Sequence, residues 1–170
     1  MANCFLRKIE EKDLKQVLSW RNSTPIKQYM YTNKDITWQE HLNWYENVST
    51  APDHDVFIYV QHDQPIGVVQ FFDKQKRHQR CFWGFYIGEL NAPKGSGTKM
   101  ATLALHHIFD QGIRKVCAEV METNHASLHF HQKLGFKVEG TLHQHIVKED
   151  HFYDVTTMAL FKEDWIGGRL

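Results

Sequence analysis

The sequence predicts an α/β (α+β) protein, a mixed seven-stranded sheet with helices on both faces. Three observations carry this. Segments of strand period and helix period alternate along the chain in the order β-α-α-β-β-β-α-β-α-β-β. No low-complexity stretch or linker separates them, so residues 1–170 read as a single domain. A glycine-rich turn at 94–98, Lys94-Gly95-Ser96-Gly97-Thr98, falls between a buried strand and a periodic helix.

Each element has its own signal. Residues 4–9 alternate and open the sheet. Asp13 stands at an N-cap position ahead of Leu14, Val17, Leu18 and Arg21 on one helix face. After a broken stretch at 22–35, Thr37 and Glu40 have capping-box spacing. They start a helix with Trp38, His41, Leu42 and Tyr45 on one side. Strands at 56–61 and 66–72 flank a hairpin turn, His62-Asp63-Gln64-Pro65. A polar loop at 73–79 leads to a buried strand at 81–87. The helix at 98–110 turns Met100, Leu103, Ala104, His107 and Ile108 inward and stops at Gly112. A buried strand at 116–121, a short helix, and strands at 136–141 and 152–161 complete the order.

Composition excludes several classes. A chain of 170 residues can bury a full core without disulfides or metals. Lys plus Arg equal Asp plus Glu at 20 each, so no global field favours nucleic acid or an anionic membrane as a partner. No apolar run is long enough to span a bilayer, and the first eight residues lack a signal-peptide layout. The 3 cysteines are far apart with no Cys-x-x-Cys pair, and read as reduced thiols of a cytoplasmic protein. The sequence does not set the oligomeric state, and a homodimer is compatible with it.

The turn at 94–98 has the makings of a phosphate cradle. Glycines let backbone N–H groups approach a pyrophosphate, and the following helix presents unpaired amides and a positive dipole end. It is not a Walker loop, because Lys99 follows Thr98 and the first glycine is too close. About thirty residues on, Asn124-His-Ala-Ser-Leu-His-Phe-His-Gln-Lys-Leu-Gly-Phe136 gives a strand end, an Asn and a short helix closing on Leu-Gly-Phe. Together these two segments resemble the cofactor site of the GCN5-related N-acetyltransferases (GNAT), whose fold matches the element order over nearly the whole chain.

The resemblance implies acetyl-CoA as co-substrate, with its pyrophosphate on Lys94, Gly95, Ser96, Gly97 and Thr98. Asn124 and Ser127 would lie along the pantetheine arm. Ala92 departs from the Gln or Arg that normally opens the family's turn. The tyrosine that faces the cofactor sulfur in the family is replaced by His131, which the resemblance makes the group that protonates the departing thiolate. An imidazole offers that chemistry at lower proton affinity. A core-edge histidine bonded to backbone is the competing account of the same residue.

No cysteine belongs to a Cys/His constellation, so the amine is expected to attack the thioester directly. On the strand at 116–121, alternation separates Cys117, Glu119 and Met121 from Val116, Ala118 and Val120. A Glu among apolar strand residues is paired or functional, and Glu119 is the base or amine-orienting group expected, with a structural ion pair as the alternative. A backbone N–H at Ile87 or Gly88 would polarise the carbonyl.

The acceptor should meet the N-terminal third. Arg21-Asn22, Met30-Tyr31 and Ile36-Thr37-x-x-x-His41-Leu42, with Glu119-Val-Met-Glu122 and the ending Lys148-Glu-Asp-x-Phe-x-Asp-Val155, look like the acetyltransferases of pseudaminic acid biosynthesis. These act on the 4-amino group of a UDP-linked amino sugar. By that resemblance Arg21, Met30, His41, Trp44 and Tyr86 would contact a nucleotide sugar. Two other readings stand beside it. One is transfer to a protein N-terminus or a polyamine, which lacks obvious acidic patches. The other is a non-catalytic acyl-CoA-binding module that has lost the family tyrosine. Acetyl-CoA turnover over a panel of acceptors separates all three. His125 with His129, and His143 with His145, do not converge with other ligands, so no metal is expected.

Overall fold

In the computed structural model, which describes residues 3–165 and Gly167, the described chain runs, besides two single-turn 3-10 helices, through twelve strands and α-helices. They are β1 (Cys4–Lys8), α1 (Leu14–Asn22), α2 (Thr24–Lys27), α3 (Trp38–Thr50), β2 (Asp55–Gln61), β3 (Gln64–Gln75), β4 (Arg80–Ile87), α4 (Ser96–Asp110), β5 (Lys115–Met121), α5 (His125–Leu134), β6 (Lys137–Lys148) and β7 (His151–Phe161). Met1 and Ala2, which open the stretch read for a leader, lie outside the described residues. The strands form one seven-stranded sheet in the order β1-β2-β3-β4-β5-β7-β6. Every neighbouring pair is antiparallel except β4 and β5. No helix among the described residues is long and apolar enough to cross a membrane.

Two cores flank the sheet. Val17 and Trp20 of α1 and Val48 of α3 pack on Val56, Ile58, Val60 and Val68. On the other face Met100, Ala104, Leu105 and Ile108 of α4 and Leu134 of α5 pack on Tyr59, Val69, Phe71, Trp83, Val116 and Met158. Each buried Val, Leu, Ile, Phe or Met side chain among them contributes about 1.5–3 kcal/mol. The three cysteines are free. Burial pushes the Cys81 thiol up to about 12 and Cys117 in the same direction, so neither offers a ready thiolate.

Several local expectations hold and several change. Thr37 and Glu40 form the reciprocal capping box that opens α3. The first hairpin turns on His62 and Asp63 alone, both left-handed as a type I′ turn requires. Gln64 and Pro65 already belong to β3, which runs on to Gln75 and shortens the expected loop. Asp13 does not cap α1. It closes a capping box with Glu10 and takes a two-pronged bond from Arg7, 2.7 Å at each oxygen. α4 begins at Ser96, two residues before the expected start. On α4 it is Ala101, Leu105 and Phe109 that join Met100, Ala104 and Ile108 inside, while Leu103 and His107 are half-buried. β6 extends far past residue 141, through a bulge at Gln144, to a second tight turn at Glu149 and Asp150.

Candidate active site

The cleft follows from a broken ladder. β4 and β5 pair only through Arg80–Lys115, Cys81–Val116 and Phe82–Cys117, and beyond that they part. The opening of about 490 Å³ is lined by Gly84, Phe85 and Tyr86 on one side and Ala118 to Met121 on the other. Among the described residues, backbone donors on the facing edges have no sheet partner there. Gly88, one of the two residues expected to polarise the carbonyl, is ruled out as the donor, because its N–H goes to the Ile66 carbonyl at 3.0 Å. Strand alternation turns the Ile87 N–H the other way, into the gap. Gly88 has a different reason to be glycine: a Cβ there would stand 2.1 Å from Cδ2 of Trp20.

At one end of the cleft stands the N-terminus of α4. Gly95 is its N-cap, in the left-handed region at φ 86°. The Ser96 N–H is taken by the Pro93 carbonyl, and helical bonding begins with Lys99 to Gly95. Among the described residues the amides of Lys94, Gly95, Gly97 and Thr98 have no acceptor. Unpaired donors at the positive end of a 15-residue helix suit a pyrophosphate. The Ser96 side chain is not part of this cradle. It is buried, with its Oγ bonded to Gln61 Oε1 at 2.8 Å and Pro93 O at 2.6 Å, and Tyr59 holds Gln61 from the other side. Ser96 therefore ties the turn to β2. Lys94 is exposed beside the turn. Gly97 lines the cleft, with Ile87 and Phe130 each 3.9 Å from where a Cβ would sit.

α5 borders the middle of the cleft. Asn124 is its N-cap and accepts from the Ser127 N–H at 3.2 Å. Both residues line the opening. His131 lines it as well but is 4 % exposed, and both ring nitrogens are engaged. Nδ1–H donates to the Ser127 carbonyl at 2.8 Å, and Nε2 accepts from the Trp83 indole N–H at 3.2 Å. Burial pushes its pKa down, against the opposing pull of the Ser127 carbonyl. The ring is neutral and holds its only proton against the helix backbone. The acid role expected of His131 is not available in this arrangement, and the core-edge alternative describes it better.

The acceptor end is built by α1, the segment after α2, and α3. Arg21, Met30, Trp44 and Tyr86 all line the cleft. The Arg21 guanidinium lies over the Trp44 ring at 5.6 Å and has no carboxylate partner among the described residues. The Tyr86 hydroxyl is shut from solvent and has no hydrogen-bond partner among the described residues, although the residue lines the cleft. Burial raises its pKa and Arg21 opposes that rise. His41 is a correction. It is 0 % exposed, outside the cleft, and its Nε2–H donates to the Leu14 carbonyl at 2.9 Å. Stacked on Trp44 at 5.2 Å, it props the platform that holds Arg21 rather than touching a substrate.

Glu119 is exposed into the cleft. Its Oε2 accepts from the Tyr31 hydroxyl, and Oε1 has no partner among the described residues. Burial and this bond both push the Tyr31 pKa up, so the hydroxyl stays a donor. Sequence reasoning missed Tyr31 as a site residue. It also missed Lys148 at the tip of the β6–β7 hairpin, which donates to the carbonyls of Gln28 (2.8 Å) and Met30 (2.9 Å). Asn33 bonds Glu149 at 2.7 Å in the same clasp. No local pattern signals contacts between residues so far apart in sequence. Among the described residues no group of three or more His, Cys, Asp or Glu side chains could hold a metal.

A sheet parted between two parallel strands, with an amide cradle at the helix between them, is the framework of an acyl-CoA-dependent acyltransferase. The chain belongs to the GNAT acetyltransferase family, whose acetyltransferase domain matches residues 3–137. It is an enzyme of that acetyl-CoA-using class. It is 28 % identical over 132 residues to the acetyltransferase PseH of Campylobacter jejuni, covering 76 % of this chain and 80 % of that one. It is 25 % identical over 139 residues to an uncharacterised protein of Methanocaldococcus jannaschii, and this spans 80 % of the chain but only 28 % of that relative. In fold it is similar to a Vibrio cholerae spermidine N-acetyltransferase solved with CoA and spermine, with TM-score 0.88, 20 % identity and coverage of 95 % and 96 %.

Proposed function

We propose that this enzyme transfers the acetyl group of acetyl-CoA to the 4-amino group of a UDP-linked 4-amino-4,6-dideoxy-N-acetyl-altrosamine, both substrates sharing the cleft. The observation that carries the choice of acceptor is Arg21, a guanidinium in the wall of the acceptor end with no carboxylate partner among the described residues. The chemistry that suits it is an anionic oxygen, as in a diphosphate. Trp44, Met30 and Tyr29 offer flat or flexible apolar faces for a base or sugar ring. The motif resemblance and the likeness to PseH point the same way. A polycation would meet Arg21 with only Glu119 to offset it among the carboxylates of the cleft, so the likeness of fold to a spermidine enzyme does not carry its substrate across.

Lys94, Gly95, Gly97 and Thr98 would hold the pyrophosphate of acetyl-CoA through their amides, and Asn124 and Ser127 would border its pantetheine arm. Bound acetyl-CoA supplies the activated acetyl thioester. As the amine nitrogen bonds to the acetyl carbon and the C–S bond breaks, Glu119, oriented by Tyr31, accepts through Oε1 the proton that the amine sheds, and the CoA sulfur leaves as a thiolate that takes its proton from water. The Ile87 N–H stabilises the negative charge that develops on the carbonyl oxygen. The test is acetyl-CoA turnover with three acceptors: the UDP-amino sugar, spermidine and a peptide with a free N-terminus. Preference for the sugar nucleotide by kcat/KM is expected. Preference for spermidine or the peptide would overturn the choice of acceptor. CoA binding without turnover of any amine would favour the non-catalytic reading.

A further inference from the structure

The floor of the acceptor end carries a feature that the resemblance did not name. β3 and β4 pair Gln70 with Gly84, and both residues line the cleft with Glu119 of the next strand. Gly84 interrupts the aromatic run Phe82-Trp83-Gly84-Phe85-Tyr86. The fold does not require a glycine there. An added Cβ would meet Gln70 Nε2 at 3.6 Å and Phe72 Cε1 at 3.9 Å, both ordinary contacts, on a backbone outside the left-handed region. A strand-interior glycine that costs stability without relieving a clash marks space kept for something else.

Gln70 is equally out of place, a carboxamide among Val68, Val69 and Phe71. Its Oε1 lies 2.9 Å from His54 Nε2, which requires the ring to donate from that nitrogen. The His54 ring is braced on Phe72 at 5.8 Å. With the oxygen committed to His54, the amide nitrogen lies over Gly84 and has no hydrogen-bond acceptor among the described residues. Glu119, an acceptor, lines the same floor one strand further on.

We infer that Gln70 is a specificity-determining residue: its Nε2–H, aimed by His54 across the bare surface of Gly84, donates to an oxygen on the acceptor near the amine. The acceptors selected are ring or short-chain amines that also carry a carbonyl or hydroxyl oxygen, in preference to plain alkyl amines. This rests on the proposed acceptor end of the cleft, and His54 acts through Gln70 as a positioning residue.

The experiment is steady-state kinetics of wild type, Gln70→Leu, His54→Phe and the double variant, with the nucleotide amino sugar and with spermidine. Gln70→Leu should raise KM for the sugar roughly tenfold, the scale of one lost hydrogen bond, with KM for acetyl-CoA and spermidine unmoved. His54→Phe should reproduce part of that rise in the wild-type background and add nothing to Gln70→Leu. Equal KM changes for both acceptors, or additive effects of the two substitutions, would overturn the inference. If the wild type prefers an amine other than the sugar nucleotide, the proposed acceptor fails. Gln70 is then judged on that amine and its analogue lacking the oxygen, where discrimination lost in Gln70→Leu supports the inference and discrimination retained overturns it.

Discussion

The indole N–H of Trp83 donates to Nε2 of His131 at 3.2 Å, joining a β4 side chain to α5 at the wall of the cleft. Trp83 is 3 % exposed and stacks on Phe136 at 5.3 Å, so the pair has little freedom. A ring held this way orders the site without lending a proton.

His131→Phe should therefore lower stability by about 1–3 kcal/mol, because a buried indole N–H loses its acceptor. Its kcat should stay within a fewfold of wild type, and the wild-type pH–rate profile should show no alkaline limb owed to an imidazolium. Thermal melts and turnover between pH 6 and 9 check this. A hundredfold or larger fall in kcat with stability unchanged would return the acid role to His131.

Arg21 makes a second prediction, and its neighbour Tyr86 a control on stability. Arg21→Ala should raise KM for the anionic acceptor about ten- to a hundredfold with little effect on KM for acetyl-CoA. Tyr86→Phe removes a buried hydroxyl that has no partner among the described residues, so stability should hold or improve. Equal effects of Arg21→Ala on both substrates would reduce it to packing on Trp44.

Much of this site was legible because its signals are local. Thr37 with Glu40, Asn124 at the head of α5, and Gly135 at φ 101° behind it are short-range signatures that a turn of helix imposes on sequence. Strand alternation placed Glu119 on the face opposite Ala118 and Val120. What alternation cannot give is the partner: Tyr31 is 88 residues away, and Lys148 is 120 from Gln28. His41 is placed at the acceptor by motif resemblance alone, which carries no information on burial, and its burial depends on the packing of α3 against Leu14. The far half of β6 was hidden by the exposed run His143-Gln144-His145, where a bulge breaks the period.

The two glycines of the cradle should fail in different ways. Gly95 has a left-handed backbone with open space around it, so Gly95→Ala should cost about 1–2 kcal/mol of stability through strain alone. Gly97 has room for a Cβ, with only ordinary contacts to Ile87 and Phe130. Gly97→Val should fold, and should weaken CoA binding about a hundredfold or more by blocking close approach to two amides. Calorimetry and melting curves on both variants make the comparison. Unchanged CoA affinity in a folded Gly97→Val would place the pyrophosphate elsewhere.

Acid should unfold this protein in two stages, and the sign follows from which groups are depressed. Burial pushes the pKa values of His41, His107 and His131 down in the folded state. The unfolded chain then binds more protons below about pH 6.5, so their contribution is complete above that pH and is lost as pH falls through the folded values. Asp13 acts lower. Burial works against its charged form, but the Arg7 guanidinium and the Glu10 N–H outweigh burial and hold the carboxyl below the usual range. Its contribution is complete above about pH 4 and is lost as pH falls through the folded value. Melting temperature should be level above about pH 7, decline from about 6.5, and fall again below about 4. His41→Gln keeps a donor for the Leu14 carbonyl without a titrating ring, and should shrink the first decline. Asp13→Asn should cost about 2 kcal/mol at neutral pH and flatten the second. A melting temperature that rises between pH 7.5 and 5.5 would mean that these histidines gain protons on folding, and that the buried bonds of His41 and His131 are drawn with the wrong charge.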